Sequence, residues 1–201
     1  MKISRTIEVL DSDEAWSLEY QAEADRLRAV FGAALVAIHH IGSTAVPGLR
    51  AKPTIDIVVE VTSDVSIEAF YPGMRALGYD CRGECLDAIV PGTPGRHYFS
   101  KKVAMKHTHH VHVCHAGHHQ VPELLALRDY LRAHPGAIAD YGKLKTELAE
   151  RFSHNNVEYM RGKDRFIKEL IALAEDWRRP TKPRNATSEP APSADSEAVQ
   201  G

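Results

Sequence analysis

The sequence has few cysteines, no membrane-length apolar run and no excess of one charge sign. Its three cysteines, Cys81, Cys85 and Cys114, form an odd and sparse set, which is typical of reduced thiols rather than of a disulfide framework. The longest stretch without Asp, Glu, Lys or Arg is residues 29–49, but its histidines, glycines and proline exclude a transmembrane helix. No apolar export segment follows residues 1–5. The sequence therefore predicts a cytoplasmic protein with no membrane partner.

Charge balance and chain length limit the class of protein further. Lys and Arg total 25 against 27 for Asp and Glu, and this net charge of −2 argues against nucleic acid as the main partner. A chain of 201 residues, 43% of them apolar, can bury the core of one domain. Residues 178–201 hold four of the 11 prolines and no Leu, Ile, Met or aromatic residue. We therefore expect one domain over residues 1–177, followed by a disordered tail over residues 178–201.

Hydrophobic periodicity predicts the order of the elements. An apolar face that recurs every three or four residues indicates a helix over residues 12–32. β-rich runs follow at 35–41 and 54–61, and the second is apolar enough to be a buried strand. Further helices are predicted near residues 65–77, 122–134, 138–148 and 157–177, with breaks at Pro72-Gly73 and at Gly162, and further strands at 79–90, 98–103 and 110–113. This order predicts an α/β or α+β protein built of packed layers.

Two stretches of the chain, residues 26–55 and 88–122, contain no carboxylate. Their basic and imidazole residues include Arg26, Arg28, His39, His40, Arg50, Lys52, Arg96, Lys101, Lys102 and Lys106. Asp56 follows the first stretch directly. A cleft formed by both stretches would be electropositive around one isolated carboxylate, as expected for a site that takes a phosphate or another anion. The alternative is an ordinary solvated surface that lacks acids by chance.

The segment of residues 41–49 is a Gly/Pro loop between two predicted strands. Gly42 allows the backbone to approach a ligand closely, and the Ser43 and Thr44 hydroxyls can bind phosphate oxygens. The loop lacks the Gly-Lys-Ser/Thr ending of a P-loop, so Walker-type ATP hydrolysis is not indicated. A tight turn capped by its own hydroxyls is the alternative.

A His-x-His pair is the second candidate feature. His110 and His112 lie two residues apart in a predicted strand, so both rings face the same side. With Asp56 from another strand they can ligate a divalent metal or act in general acid/base catalysis. Exposed histidines without a function are the alternative. Cys81-x3-Cys85 has no common zinc-knuckle spacing, and ordinary thiols are favoured there.

The three C-terminal helices carry further basic residues, among them Arg128, Arg132, Lys143, Lys145, Arg161, Lys163 and Arg165. Surface solubility explains most such residues. Lys143 lies close to the packing positions Ile138 and Tyr141, and it is the one that we expect to lean over the cleft.

The string from His40 to Ile57, HIGSTAVPGLRAKPTIDI, closely resembles the signature of the GrpB family, bacterial proteins of the nucleotidyltransferase superfamily. Further blocks resemble the family downstream, at residues 110–113, 128–135, 141–145 and 159–163. Together the blocks cover roughly residues 8–177. This length and order make the resemblance highly specific.

The resemblance implies a nucleotidyltransferase-like fold, in which a mixed sheet is flanked by helices and followed by C-terminal helices. Gly42-Ser43 then corresponds to the glycine-serine loop of the superfamily and Asp56 to a strand carboxylate. Active members use two or three carboxylates to hold Mg²⁺. Here the positions two residues either side of Asp56 are Thr54 and Val58, so the paired carboxylate is missing. Either the His110/His112 strand completes an altered metal site, or the fold only binds a ligand.

The sequence thus predicts a protein that binds a nucleotide or another phosphorylated small molecule and that can transfer a nucleotidyl or phosphoryl group. The expected substrate-binding residues are His40, Gly42, Ser43, Thr44, Lys52, Arg96 and Lys143. The expected catalytic residues are Asp56, His110 and His112, which are also the expected ligands of a divalent metal, Mg²⁺ or Zn²⁺. The alternative is a non-catalytic accessory or ligand-sensing domain. Family names that mention dephospho-CoA kinase reflect fused domains and identify no substrate.

Overall fold

The computed structural model describes residues 6–84 and 93–179. Its helices and strands, in chain order, are α1 (Ala15–Phe31), β1 (Leu35–Ile41), β2 (Ile55–Val61), α2 (Tyr71–Ala76), β3 (Tyr79–Cys81), β4 (Arg96–Val103), β5 (Lys106–His115), α3 (Gln120–Ala133), α4 (Pro135–Arg151) and α5 (Asn156–Arg178). Short 3-10 helices lie between them, and the one at Ser43–Ala45 follows β1. No helix of the described ranges is both long and apolar enough to cross a membrane.

The strands form one five-stranded mixed sheet in the order β1-β2-β5-β4-β3. β2 and β5 are parallel, whereas the other neighbours pair antiparallel. The parallel register places Asp56 beside His110 and Val58 beside His112. The expected mixed sheet flanked by helices is therefore confirmed.

β2 lies inside the sheet and is covered on both faces. Ile55, Ile57 and Val59 pack with α1 and α2 in the largest core cluster. Val58, on the opposite face, packs against a smaller cluster that includes Val121 of α3. This double covering explains the nearly continuous apolar run of the strand. Because side chains alternate along a strand, Asp56 lies on the face that α3 covers.

Of the two predicted helix breaks, the first lies directly before Pro72, where the 3-10 helix Ile67–Phe70 ends and α2 begins, and the second is wrong. α2 begins at Tyr71 and carries Pro72 in its first turn, where a missing N–H costs nothing, so the proline starts the helix. α5 runs without interruption through Gly162. A Cβ at position 162 would collide with the Leu148 side chain of α4. Gly162 therefore lets α4 and α5 approach each other.

Two other predictions extend beyond the described residues. β3 ends at Cys81, and the remainder of the strand predicted for residues 79–90, together with Cys85, falls partly on the undescribed residues 85–92. α5 continues to Arg178, the first residue of the predicted tail. Residues 180–201 lie outside the described residues.

Candidate functional site

The pair Asp56 and His110 lies at the centre of the candidate site. His110 Nδ1 is 3.1 Å from Asp56 Oδ1, across the parallel β2–β5 ladder. Solvent still reaches both side chains, which are 31% and 28% exposed. Burial alone raises the pKa of Asp56, but the hydrogen bond and charge of His110 outweigh it and lower that pKa below its ordinary value. Asp56 is therefore ionised, and His110 Nδ1 donates the hydrogen bond.

The loop after β1 lies directly against Asp56. Gly42 has φ +70°, and a Cβ there would come within 2.5 Å of Asp56 Oδ2. Two independent constraints, the left-handed backbone and the close approach, thus require glycine. The glycine-serine loop therefore lies in direct contact with the strand carboxylate Asp56.

His40 and Thr44 hold this loop from beneath. The Thr44 hydroxyl donates to the Thr54 carbonyl at 3.2 Å, and His40 Nε2 donates to Thr44 Oγ1 at 3.0 Å. Burial lowers the pKa of His40 to about 4, with the nearby Arg132 and Arg128 charges adding to the effect, so the ring is neutral. His40 and Thr44 are each 7% exposed. They therefore position the loop from inside the protein.

Two arginines of α3 fasten the same loop from the other side. Arg128 donates to the His40 carbonyl at 3.1 Å. Arg132 donates from Nε and Nη2 to the Ala45 carbonyl, at 2.9 and 2.7 Å. The sequence predicted Arg128 and Arg132 only as basic residues of the C-terminal helices, without a role in the site. Their spacing of four places them on one helix face, which is the signal that links them.

Lys145 of α4 reaches the loop, whereas Lys143 does not. Lys145 Nζ donates to Ser43 Oγ at 3.1 Å, and the residue is only 2% exposed. Burial and the Lys163 charge lower the pKa of Lys145 to about 7. The Lys143 side chain is 78% exposed, and its Nζ lies 4.0 Å from Glu147 Oε1. The expectation that Lys143 leans over the site is corrected, because residues two apart on a helix point to different sides.

Two further lysines pack on Tyr159 of α5. Lys52 Nζ lies 4.3 Å from the ring centroid and donates to Asn156 Oδ1 at 2.7 Å. Lys163 Nζ lies 5.1 Å from the same centroid. Burial, together with the Lys163 charge, lowers the pKa of Lys52 to about 8, and burial also lowers that of Lys163, while Asp56 opposes both shifts. Lys52 therefore lies near enough to Asp56 for the charge of that carboxylate to act on it.

Lys145 and Lys163 are not among the site residues predicted from the sequence, although a local signal for them exists. Each lies four residues after a buried tyrosine, Tyr141 and Tyr159 respectively, and residues four apart share a helix face. Below, the Asp56 cluster denotes Asp56, His110, Ser43, Lys52, Lys145 and Lys163.

His112 lies beside this cluster on the same sheet face. Its Nδ1 is buried and has no hydrogen-bond partner in the structure. Burial, with the charge of Arg96, lowers the pKa of His112 to about 3, so the ring is neutral. Tyr98, which the sequence did not predict as a site residue, stacks on His112 with centroids 5.3 Å apart, and its centroid lies 5.5 Å from that of the His110 ring. Because the charge of Arg96 acts on the His112 ring, Arg96 lies near His112.

The donors at the site do not fit a divalent cation. Within residues 6–84 and 93–179, no three His, Cys, Asp or Glu side chains converge closely enough to hold a metal ion. Mg²⁺ prefers several oxygen ligands, but here one carboxylate is paired with an imidazole and lies among lysines. No step below uses a metal. Metal binding by Asp56, His110 and His112 stays a prediction that calorimetry can test.

Comparisons with known proteins agree on one family. The model of the family described as "GrpB protein" matches residues 6–172. The crystal structure of conserved protein GrpB from Enterococcus faecalis superposes with a TM-score of 0.77 at 34% identity, covering 85% of this chain and 99% of that one. UPF0157 protein YqkA of Bacillus subtilis is 39% identical over 175 residues, 87% of this chain and 49% of YqkA.

A more distant similarity concerns a named enzyme. The dephospho-CoA kinase of Mycobacterium tuberculosis is 28% identical over 191 residues, which is 84% of this chain and 46% of the kinase. The chain therefore spans about half the length of YqkA and of this kinase.

Proposed function

The chain belongs to the GrpB family, and we propose that it binds a nucleotide or another phosphorylated small molecule at the Asp56 cluster. One observation carries this proposal: Lys145 donates to Ser43 of the loop that lies against Asp56, Lys52 and Lys163 pack together on the Tyr159 ring, and Asp56 already accepts a hydrogen bond from His110. Such an excess of positive charge favours an anion with several oxygens.

The Asp56–His110 pair supplies proton-transfer chemistry for such a ligand. Ionised Asp56 accepts from His110 Nδ1–H, which leaves Nε2 as the ring nitrogen that exchanges a proton with the ligand. In a transfer reaction, Nε2 takes the proton of an acceptor hydroxyl while that oxygen bonds to phosphorus. The bond from phosphorus to the leaving phosphate oxygen breaks at the same time.

Binding is tested by calorimetry with nucleoside mono-, di- and triphosphates and sugar phosphates, both with Mg²⁺ and with EDTA. We expect at least one to bind, Lys145→Met to weaken binding at least about tenfold (about 1.4 kcal/mol) and Lys143→Met to leave it unchanged. Lys143 is the matched control because it lies on the same helix and faces outward. Failure of every ligand to bind would overturn the proposal.

A second candidate function is ligand sensing without catalysis. It is favoured by Thr54 and Val58, which stand where a second acidic residue would flank Asp56. Turnover assays on the ligands that bind separate the two functions. Transfer that is lost in His110→Gln, with binding retained, supports catalysis. Binding without turnover in any acceptor screen supports the sensing role.

We also propose that the protein acts in the cytoplasm and that its ligand is a small molecule. The sparse, odd set of cysteines supports a reducing cytoplasm. The near-zero net charge supports a small-molecule ligand over nucleic acid. Binding of a short RNA or DNA with a stronger salt dependence than that of a nucleotide would contradict this choice of ligand.

A further inference from the structure

The three lysines of the Asp56 cluster are held by groups that do not neutralise them. Lys145 rests 4.4 Å from the Tyr141 ring centroid and donates to the Ser43 hydroxyl. Lys52 lies over the Tyr159 ring and donates to an amide oxygen, and Lys163 lies near the same ring. Aromatic faces and neutral oxygens stabilise an ammonium group without cancelling its charge.

The lysines also come from three separate parts of the chain. Lys52 precedes β2, Lys145 belongs to α4 and Lys163 to α5. Lys163 lies close enough to Lys52 and Lys145 to lower the pKa of both by charge repulsion. Keeping all three lysines protonated costs free energy in the free protein, and Lys145 therefore loses its proton more readily than a free lysine. A bound polyanion would relieve that cost.

The charges around Asp56 are opposite in sign to those that a metal-dependent site requires. A magnesium site gathers carboxylates, which the cation neutralises before the phosphate arrives. Here the single carboxylate, Asp56, is already engaged by His110, and the surrounding charges are cationic. A divalent cation would be repelled by the lysines.

We propose that Lys52, Lys145 and Lys163 bind the phosphate groups of the ligand directly and take the place of a divalent cation, so that a polyphosphate chain binds without metal. This inference rests on the proposed function, and it names the occupant more narrowly as a di- or triphosphate chain. Three ammonium groups from three elements can each donate to a different phosphate. A monophosphate cannot engage all three equally well.

The test is calorimetry with ATP and with inorganic tripolyphosphate, in EDTA and in excess Mg²⁺. We expect both probes to bind in EDTA at least as tightly as in Mg²⁺, since Mg²⁺ competes with the lysines for phosphate oxygens. AMP should bind at least about tenfold more weakly than ATP. The wild-type comparison in EDTA and Mg²⁺ needs no variant and is independent of any folding defect.

Variants then locate the binding groups. Lys163→Met should weaken ATP binding in EDTA at least about tenfold. Lys168→Met is the control, because Lys168 is exposed on the same helix and pairs with Asp164 at 2.7 Å. Binding that is seen only with Mg²⁺, or equal losses in both variants, would overturn the inference alone. Absence of binding by any phosphorylated ligand in either condition would overturn the proposed function with it.

Discussion

The Lys145 ammonium group donates a hydrogen bond to the Ser43 hydroxyl at 3.1 Å, joining residues 102 positions apart in the chain. The glycine-serine loop is thereby fixed to α4 through a nearly fully buried lysine. A buried ammonium group without a carboxylate partner is costly, so this contact suits ligand binding better than it suits stability.

Replacing Lys145 should therefore raise stability while it lowers ligand affinity. Burial lowers the pKa of Lys145 to about 7 from the 10.5 of a free lysine. Between these values the unfolded chain binds a proton that the folded protein does not, so wild-type stability decreases as pH falls from about 10 to about 7. We expect Lys145→Met to be more stable by about 2 kcal/mol at pH 7, with a smaller gain near pH 10.

Urea denaturation of both proteins at a series of pH values measures this difference. Lys143→Met, on the exposed side of α4, should change stability by less than about 0.5 kcal/mol at every pH. A loss of stability in Lys145→Met that is constant with pH would show that Lys145 serves packing alone.

Gly42→Ala should disrupt the loop more than Gly48→Ala does. Both glycines have positive φ, +70° and +80°, and both variants therefore incur backbone strain. Only at position 42 would the new Cβ meet the Asp56 carboxylate, whereas nothing lies within 4 Å at position 48. We expect Gly42→Ala to lose about 1 to 3 kcal/mol more than Gly48→Ala. Thermal unfolding of the two variants measures this, and equal losses would argue against the close approach.

His40 and His112 should remain neutral well below neutral pH. Burial lowers their pKa values to about 4 and about 3. Below pH 6.5 the unfolded chain protonates both rings while the folded protein does not, so stability should fall with decreasing pH, by up to about 1.4 kcal/mol per pH unit for each histidine. NMR titration of the imidazole resonances tests this directly. A titration midpoint between pH 5 and 7 for either ring would contradict the burial described here.

Gly162→Ala should destabilise the protein although alanine favours helices. Alanine gains about 1 kcal/mol over glycine inside a helix, but here its Cβ would collide with Leu148, which packs in a cluster with Ile7 and Tyr159. Gly136→Ala, on α4 with open space around it, is the control and should stabilise slightly. If both variants stabilise in chemical denaturation, the α4–α5 contact is looser than the structure indicates. Rescue of Gly162→Ala by Leu148→Ala would locate the collision.

Local pattern predicted most of the elements and, within the Asp56 cluster, every residue except Lys145 and Lys163. β1 is found at the predicted residues 35–41, and β2 begins one residue after the predicted start at 54. The alternation of a strand sufficed to place His110 and His112 on one face. The signature around Gly42 and Asp56 identified the family, which the comparisons show. These features depend on residues close in sequence, and short-range geometry fixes them.

Only the tertiary structure decided which charges surround Asp56. The parallel pairing of β2 with β5 placed His110 against Asp56 across 54 positions of sequence. The packing of α4 and α5 directed Lys145 and Lys163 inward and left Lys143 in solvent. The periodicity of a helix predicts which side chains share one face, but it does not predict which part of the protein that face packs against. That surface is set by packing between segments distant in sequence, because burial free energy depends on the whole fold.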